Sequence, residues 1–370
     1  MGMRDIAEVF PPGDFLKEEL EARGWSQVEF AEILDRPPRV VSEIISGKRA
    51  ITPETANGLG EALGTGAQFW MNLESAWQLS KVKVVENSVA RRSNLYSKFP
   101  VKDMIKRGWI RATDNLDVLE RQFIDFFQIS SINDEPAFSH AARKTSYTHT
   151  SIQQMAWFWR AKQLALNVHV SKFSNASLRS AINELRTCTQ DVEEIRKVPN
   201  ILASAGIRFL VVEALPGSKI DGVCFWLEDS PVIALSLRFD RIDTFWHSLM
   251  HELDHVEHKE GMTEPMVDEE LGMGSNSKLP AIEIRANENA ADRLIPSDEM
   301  TGFIARINPL FSEQKVIGFA KRIGVHPGIV VGQLQHRGLL PWSALNKLKV
   351  KVRPWIIPAT LTDGYGEISQ

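Results

Sequence analysis

His251-Glu252-Leu253-Asp254-His255 decides how the larger part of this chain is read. Two histidines four apart fall on one face of a helix, because a turn takes 3.6 residues. Their ring nitrogens can then bind one Zn²⁺, and Glu252 between them is placed to take a proton from a water at that ion. Residues 233–237 read as a buried strand, and 244–250 carry helical apolar spacing straight into the histidines. His247 and His258 lie near the same face, but one helix cannot present three histidines tetrahedrally. Only His251 is followed directly by a glutamate, so His251 and His255 are the expected pair.

A catalytic zinc takes three protein ligands and leaves a position open for water. The chain lacks a Gly-x-x-His continuation after His255, which argues against a third histidine. The helical segment 283–296 holds three acids, and its small Ala286, Ala290 and Ala291 permit close helix approach. Glu283 is the first choice as third ligand and Glu288 the reserve. Asp292 is suited to orient a ligand histidine from behind.

Upstream, residues 207–212, 221–227 and 232–237 read as strands, with a turn at Glu228-Asp229-Ser230-Pro231. Residues 232–237 lead directly into the metal helix and are expected at the sheet edge, where a peptide could add as a strand. Helices are expected over 101–107, 116–127, 151–166, 177–186, 191–205, 311–322 and from 326 to 336. Trp157 and Trp159 suit a core. His326 and His336 either belong to a closing helix-loop-helix or face the cleft.

At 370 residues, 43% hydrophobic and 24% charged, the chain suits a globular protein of two or three domains. It has no run of 18 apolar residues, so no membrane partner is expected. It does not open with a basic-then-apolar segment, so a cytoplasmic location is expected. Cys188 and Cys224 lie outside metal-ligand spacing and read as packing residues in a reducing compartment. The net charge of −4 conceals an asymmetry. Residues 1–80 hold 7 Lys+Arg against 13 Asp+Glu, whereas 81–111 hold 9 against 2. That basic block reads equally as a phosphate-tracking arm or as a solvated helical connector.

Residues 10–80 carry five short helical patterns. Gly24 ends the first, and Ser26-Gln27-Val28-Glu29 is a capping box for the second. A tight turn at Asp35-Arg36-Pro37-Pro38 leads into the third, and Thr52-Pro53 caps the fourth. Helix, short turn, helix suggests a DNA-reading unit whose third helix exposes Arg36, Arg39, Ser42 and Glu43, with Lys48 and Arg49 placed to hold phosphates. A plain helical bundle would also turn these polar residues outward, and the acidic balance of the segment counts against DNA.

Residues 15–20, Trp25-Ser26-Gln27, residues 42–56 and Phe69-Trp70-Met71-Asn72-Leu73 resemble the HigA-type antitoxins of the Xre/Cro helix-turn-helix family. The resemblance implies a homodimeric repressor on operator DNA, with a toxin as a potential partner. Phe245-Trp246, the His251–His255 stretch and Glu283-x-x-Ala286-Asn287-x-x-Ala290 through Pro296 resemble the ImmA/IrrE metallo-endopeptidases. That resemblance implies that Glu283 is the third ligand and that the enzyme cleaves a repressor-like protein. Asp254 stands where that family usually has glycine, and Asn289 where it has an aromatic. Asp254 is thereby expected to bring a carboxylate near the site, altering metal preference or crowding the helix. Zn²⁺ is the expected cofactor, although Mn²⁺ or Fe²⁺ would accept the same ligands.

The expected fold class is therefore α+β and multi-domain. A lambda-repressor-like all-α helix-turn-helix occupies 1–80 and a basic helical connector 81–135. A mainly helical zincin-like metallopeptidase domain with a small sheet spans 136–348, and a tail closes the chain at 349–370.

Overall fold

Three apolar runs in the second half of the chain form strands buried on both faces. In the computed structural model these are β1 (Arg208–Val211), β2 (Ile220–Leu227) and β3 (Ser230–Leu235), joined by a short β4 (Met266–Glu269). The structure describes residues 9–81, 88–134, 136, 151–262, 266–269 and 280–364, with backbone alone for 266–269. Lys83 and Glu86 of the basic block, the expected boundary at 135/136 and the last six positions of the expected tail lie outside the described residues. The chain divides into two units, Met1–Ser88 and Val89–Gln370.

The first unit is all helical: α1 (Pro12–Arg23), α2 (Gln27–Ile33), α3 (Pro38–Ile45), α4 (Pro53–Leu63) and α5 (Ala67–Lys81). Ser26 Oγ accepts the Glu29 N–H and the Glu29 carboxylate accepts the Ser26 N–H, so the capping box forms. Leu16, Phe30, Val41, Ile44, Leu59 and Trp70 close its core. A Cβ on Gly13 would lie 2.4 Å from the Ile44 carbonyl oxygen, so glycine there lets α1 meet the end of α3.

The second unit opens with α6 (Ser88–Lys98), α7 (Val101–Lys106), α8 (Leu116–Phe127) and α9 (Ile152–Ala165). Next come α10 (Asn175–Thr187), a 3₁₀ turn (Val192–Lys197) and α11 (Val198–Ser204). After β3 come α12 (Ile242–Glu257), α13 (Ala281–Leu294), α14 (Ser297–Ile307), α15 (Glu313–Ile323), α16 (Pro327–His336) and the short α17 (Arg353–Ile356). The single helix expected over 191–205 is broken because Pro199 has no N–H to donate to the preceding turn.

The sheet order is β1-β3-β2-β4, with β1 parallel to β3 and the other pairs antiparallel. This corrects the expectation that 232–237 form an edge. β3 is interior, flanked by β1 (Phe209 opposite Ile233) and β2 (Cys224 opposite Ile233). Parallel pairing joins segments distant in the chain, which local patterning does not reveal. Phe209, Val211, Cys224, Ile233 and Leu235 face a core shared with α12 and the helices after it. Leu210, Val223, Phe225, Val232 and Ala234 face the opposite core, built from α6 to α9. Burial on both sides explains why these strands read as continuous apolar runs.

Two further parts of the chain pack with the sheet. Residues 88–134 do not act as a bare connector: Leu95, Phe99, Met104, Leu119, Phe123 and Phe127 are buried with the sheet. Each such side chain contributes about 1.5–3 kcal/mol on burial, which makes the segment a structural wall. Several of its cations are engaged within the fold. Arg91 pairs with Asp117 at 2.5 Å and Glu120 at 2.7 Å, while Lys98 donates to the Ile132 carbonyl at 3.3 Å. The closing residues, expected as a tail, also belong to the unit. Val352 and Ile356 are fully buried, and the Val211 N–H donates to the Leu361 carbonyl at 3.0 Å. Asp363 accepts from the Arg107 guanidinium at 2.6 Å and from the Trp109 indole at 3.1 Å.

The Arg107 and Asp363 side chains are 3% and 1% exposed, so removing one partner leaves a charge buried. Asp363→Ala is expected to cost about 3–5 kcal/mol, read as a lowered urea midpoint of the full chain. An unchanged midpoint would show that this ion pair does not hold the closing segment in place.

Candidate functional site

α12 and α13 supply a cluster of metal-binding side chains. His251 and His255 lie one turn apart on α12 and are fully buried, and Glu283 enters from the first turn of α13. His251 Nε2 stands 3.0 Å from His255 Nε2 and 3.2 Å from a Glu283 carboxylate oxygen, which is 3.8 Å from His255 Nε2. Among the described residues these three form a group able to hold a metal ion. Glu288, the reserve ligand, is exposed. Asp292 accepts the Ser297 N–H at 2.8 Å and so caps α14, which corrects its expected place behind a histidine.

Oxygens behind the rings set their tautomers. Asn287 Oδ1 lies 3.1 Å from His251 Nδ1 and 3.1 Å from His247 Nε2. A Glu260 oxygen lies 2.7 Å from His255 Nδ1. An oxygen beside each Nδ1 favours the tautomer protonated there, which makes Nε2 the atom each ring would offer to a metal. Two imidazole nitrogens and a carboxylate are a donor set that suits Zn²⁺, Mn²⁺ or Fe²⁺. Donors at about 2.0–2.1 Å from a tetrahedral ion sit about 3.3 Å apart, close to the spacing seen here.

Glu252 is fully buried and lies against β2. A Cβ on Gly222 would come within 2.1 Å of Glu252 Oε1, so a larger residue on the strand would displace this buried carboxylate. Asp254 does not join the ligand cluster. It faces α13, where it accepts from Asn289 at 2.8 Å, from Arg285 at 3.0 Å and from Arg293 at 3.0 Å. Burial pushes its carboxyl up, but the bonds from Asn289 and Arg285 and the charge of Arg293 outweigh it, and the pKa falls below the usual carboxylate value. Asp254 and Asn289 thus bond to each other.

The four other histidines considered for the cleft have their own surroundings. His247 shares Asn287 with His251, and His258 Nδ1 lies 2.9 Å from the Asp254 carbonyl. His326 Nδ1 accepts the Gly328 N–H at 3.1 Å, capping α16. His336 stacks on His247 with centroids 6.0 Å apart, and burial lowers its pKa. Glu260 was not singled out in the sequence. Its only signal is an acid set beside Gly261 just beyond the helix end.

In the first unit, α2 and α3 are joined by a short turn in which Asp35 takes a positive φ of 50°. Arg36, Arg39, Ser42, Lys48 and Arg49 are exposed. Glu43 is half-buried and accepts from Arg39 at 2.6 Å and Arg49 at 2.8 Å. Bonds from Arg49, then Arg39, hold its carboxyl below the usual range. Arg36 pairs with Glu54. The cations are thus gathered along α3 even though the unit as a whole is acidic.

Residues 16–70 match the helix-turn-helix family HTH_3. The chain is 39% identical over 82 residues to the HTH-type transcriptional regulator YddM of Escherichia coli K12, spanning 87% of that protein and 22% of this chain. It is 42% identical over 73 residues to virulence-associated protein A of Dichelobacter nodosus, spanning 72% of that protein and 19% of this chain. A HigA-family addiction module antidote protein of Coxiella burnetii is 36% identical, with 20% of this chain and 79% of that one covered and a TM-score of 0.19. Through its first unit, the chain belongs to the HTH_3 helix-turn-helix family of DNA-binding transcriptional regulators. No described helix is long and apolar enough to cross a membrane.

The contact between Gly222 and Glu252 gives a direct test. Gly222→Ala is expected to destabilise the chain by about 1–3 kcal/mol through overpacking. Shortening Glu252 to alanine in the same chain should restore most of that loss, giving a coupling above about 0.5 kcal/mol in thermal melts. Strictly additive effects would show that the two groups do not meet.

Proposed function

We propose that this regulator carries a metallo-endopeptidase of the ImmA/IrrE kind in its second unit, a zincin-like domain that cleaves a repressor-like or antitoxin-like protein. The observation that carries the reading is the convergence of His251, His255 and Glu283 with both rings pinned from behind. A divalent cation held by these donors would supply Lewis acidity and would lower the pKa of a water there. His251, His255 and Glu283 are the residues that would hold it. Glu252, the residue after His251, accepts the proton of the attacking water as the new C–O bond forms. It returns that proton to the amide nitrogen as the C–N bond breaks. The buried surroundings strengthen each of these electrostatic contacts.

The first unit, as proposed, binds operator DNA as a homodimer with α3 in the major groove, Arg36, Arg39, Ser42 and Glu43 reading bases and Lys48 and Arg49 on phosphates. Glu43 pairs with both Arg39 and Arg49 in the DNA-free protein. Lys48→Ala and Arg49→Ala should each weaken operator binding across sequences and reduce the salt slope by about 1, measured by titration at several salt concentrations. Salt slopes equal to that of the unaltered chain would remove these residues from the interface.

For the second unit, the metal-loaded chain and its Glu252→Gln form are incubated with a cognate repressor or toxin-associated protein. The expected result is cleavage by the first and a loss of at least about 100-fold in the second, with metal content unchanged. Cleavage that survives the substitution removes Glu252 from its role. If no fragments form and chelation changes operator affinity equally in both forms, the unit senses metal and does not cut.

A further inference from the structure

We propose that Arg285, anchored by Asp254, is a positioning residue of the metal centre: it holds Glu260 against His255 so that the imidazole keeps its Nε2 turned to the ion. The proposal rests on the metal-centre reading above and deepens it.

Glu260 reaches His255 by an indirect route. α12 ends at Glu257, and Lys259 then takes a left-handed φ of 57°, which turns the chain back on itself. The Glu260 N–H donates to the His255 carbonyl at 2.9 Å, and the Trp226 indole donates to the Glu260 carbonyl at 3.0 Å. Gly261, with φ 79°, sits so close to β2 that a Cβ would lie 2.6 Å from the Cys224 carbonyl oxygen. These contacts fix the Glu260 backbone, but its carboxylate still needs a partner to stay over the imidazole.

Arg285 supplies that partner from α13. Its Nη2 donates to the Glu260 oxygen at 2.6 Å, the same oxygen that meets His255 Nδ1. Its Nε donates to Asp254 at 3.0 Å. One planar guanidinium therefore bridges two carboxylates, a geometry an ammonium group cannot reproduce. Asp254 is itself held by Asn289 and Arg293. The order of dependence is thus Asn289 and Arg293, then Asp254, Arg285, Glu260 and His255. Without the guanidinium, Asp254 and Glu260 would repel one another, and the partly exposed Glu260 could swing into water and leave His255 Nδ1 unheld.

The test uses the full chain, stripped of metal and titrated with Co²⁺, whose visible bands report ligand geometry, followed by competition with Zn²⁺. The unaltered chain should take one Co²⁺. Arg285→Lys and Glu260→Ala should bind it about 10–100-fold more weakly with altered bands, the range for losing the group behind a ligand histidine. Glu260→Gln keeps an acceptor oxygen for Nδ1–H and should fall between Glu260→Ala and the unaltered chain. Metal-free melting curves accompany each variant. If Arg285→Lys also lowers the melting point, the comparison of Glu260→Gln with Glu260→Ala decides, because both keep Arg285 and Asp254 and differ in the acceptor that His255 and Arg285 share. Equal affinities and bands across the set, with the unaltered chain still binding Co²⁺, overturn the positioning role and leave the metal centre standing. No Co²⁺ binding by the unaltered chain overturns both.

Discussion

The polar face of α12 is buried, and that constraint organises the second unit. His251, Glu252, Asp254 and His255 are all fully buried within a single turn and a half. Each unsatisfied polar group placed there would cost about 1–3 kcal/mol, and a charged one more. α13 answers with two rows of side chains at helical spacing. Glu283 and Asn287, four apart, meet the histidines. Arg285, Asn289 and Arg293, also four apart, meet Asp254. Ala286 and Ala290 are fully buried and small enough for the helices to approach closely. A geometry suited to gripping a cation thus follows from the need to satisfy a buried polar seam.

The sheet and its outer layer keep that seam dry and fixed. β2 meets Glu252 through Gly222 and pins the turn after α12 through Trp226 and the Cys224 carbonyl. Behind the sheet, the aromatic wall of Phe99, Phe123, Phe127 and Phe158 closes the opposite face. The buried pair of Arg107 with Asp363 then ties that wall to the end of the chain.

How much of this could be read from the sequence depends on how local each signal is. The helix ends around Gly24, Ser26 and Thr52 were legible because caps act over three or four residues. The pairing of His251 with His255 and the choice of Glu283 were legible because both rest on helical spacing and small alanines. The interior place of β3 was not, since its parallel partner β1 lies more than twenty residues upstream. The burial of 88–134 is hard to read from sequence because its lysines and arginines dominate composition, while the leucines and phenylalanines that bury it are spaced through four short stretches. Glu260 was missed because a left-handed turn at Lys259, a residue with no strong bias toward that conformation, brings it back over His255.

The central claim, one divalent cation on His251, His255 and Glu283, is tested most directly by a crystal structure of the zinc-loaded chain with anomalous data at the zinc edge. The account predicts a single strong peak within about 2.0–2.2 Å of both Nε2 atoms and a Glu283 carboxylate oxygen. A peak elsewhere, or none between α12 and α13 in zinc-saturated protein, would contradict it.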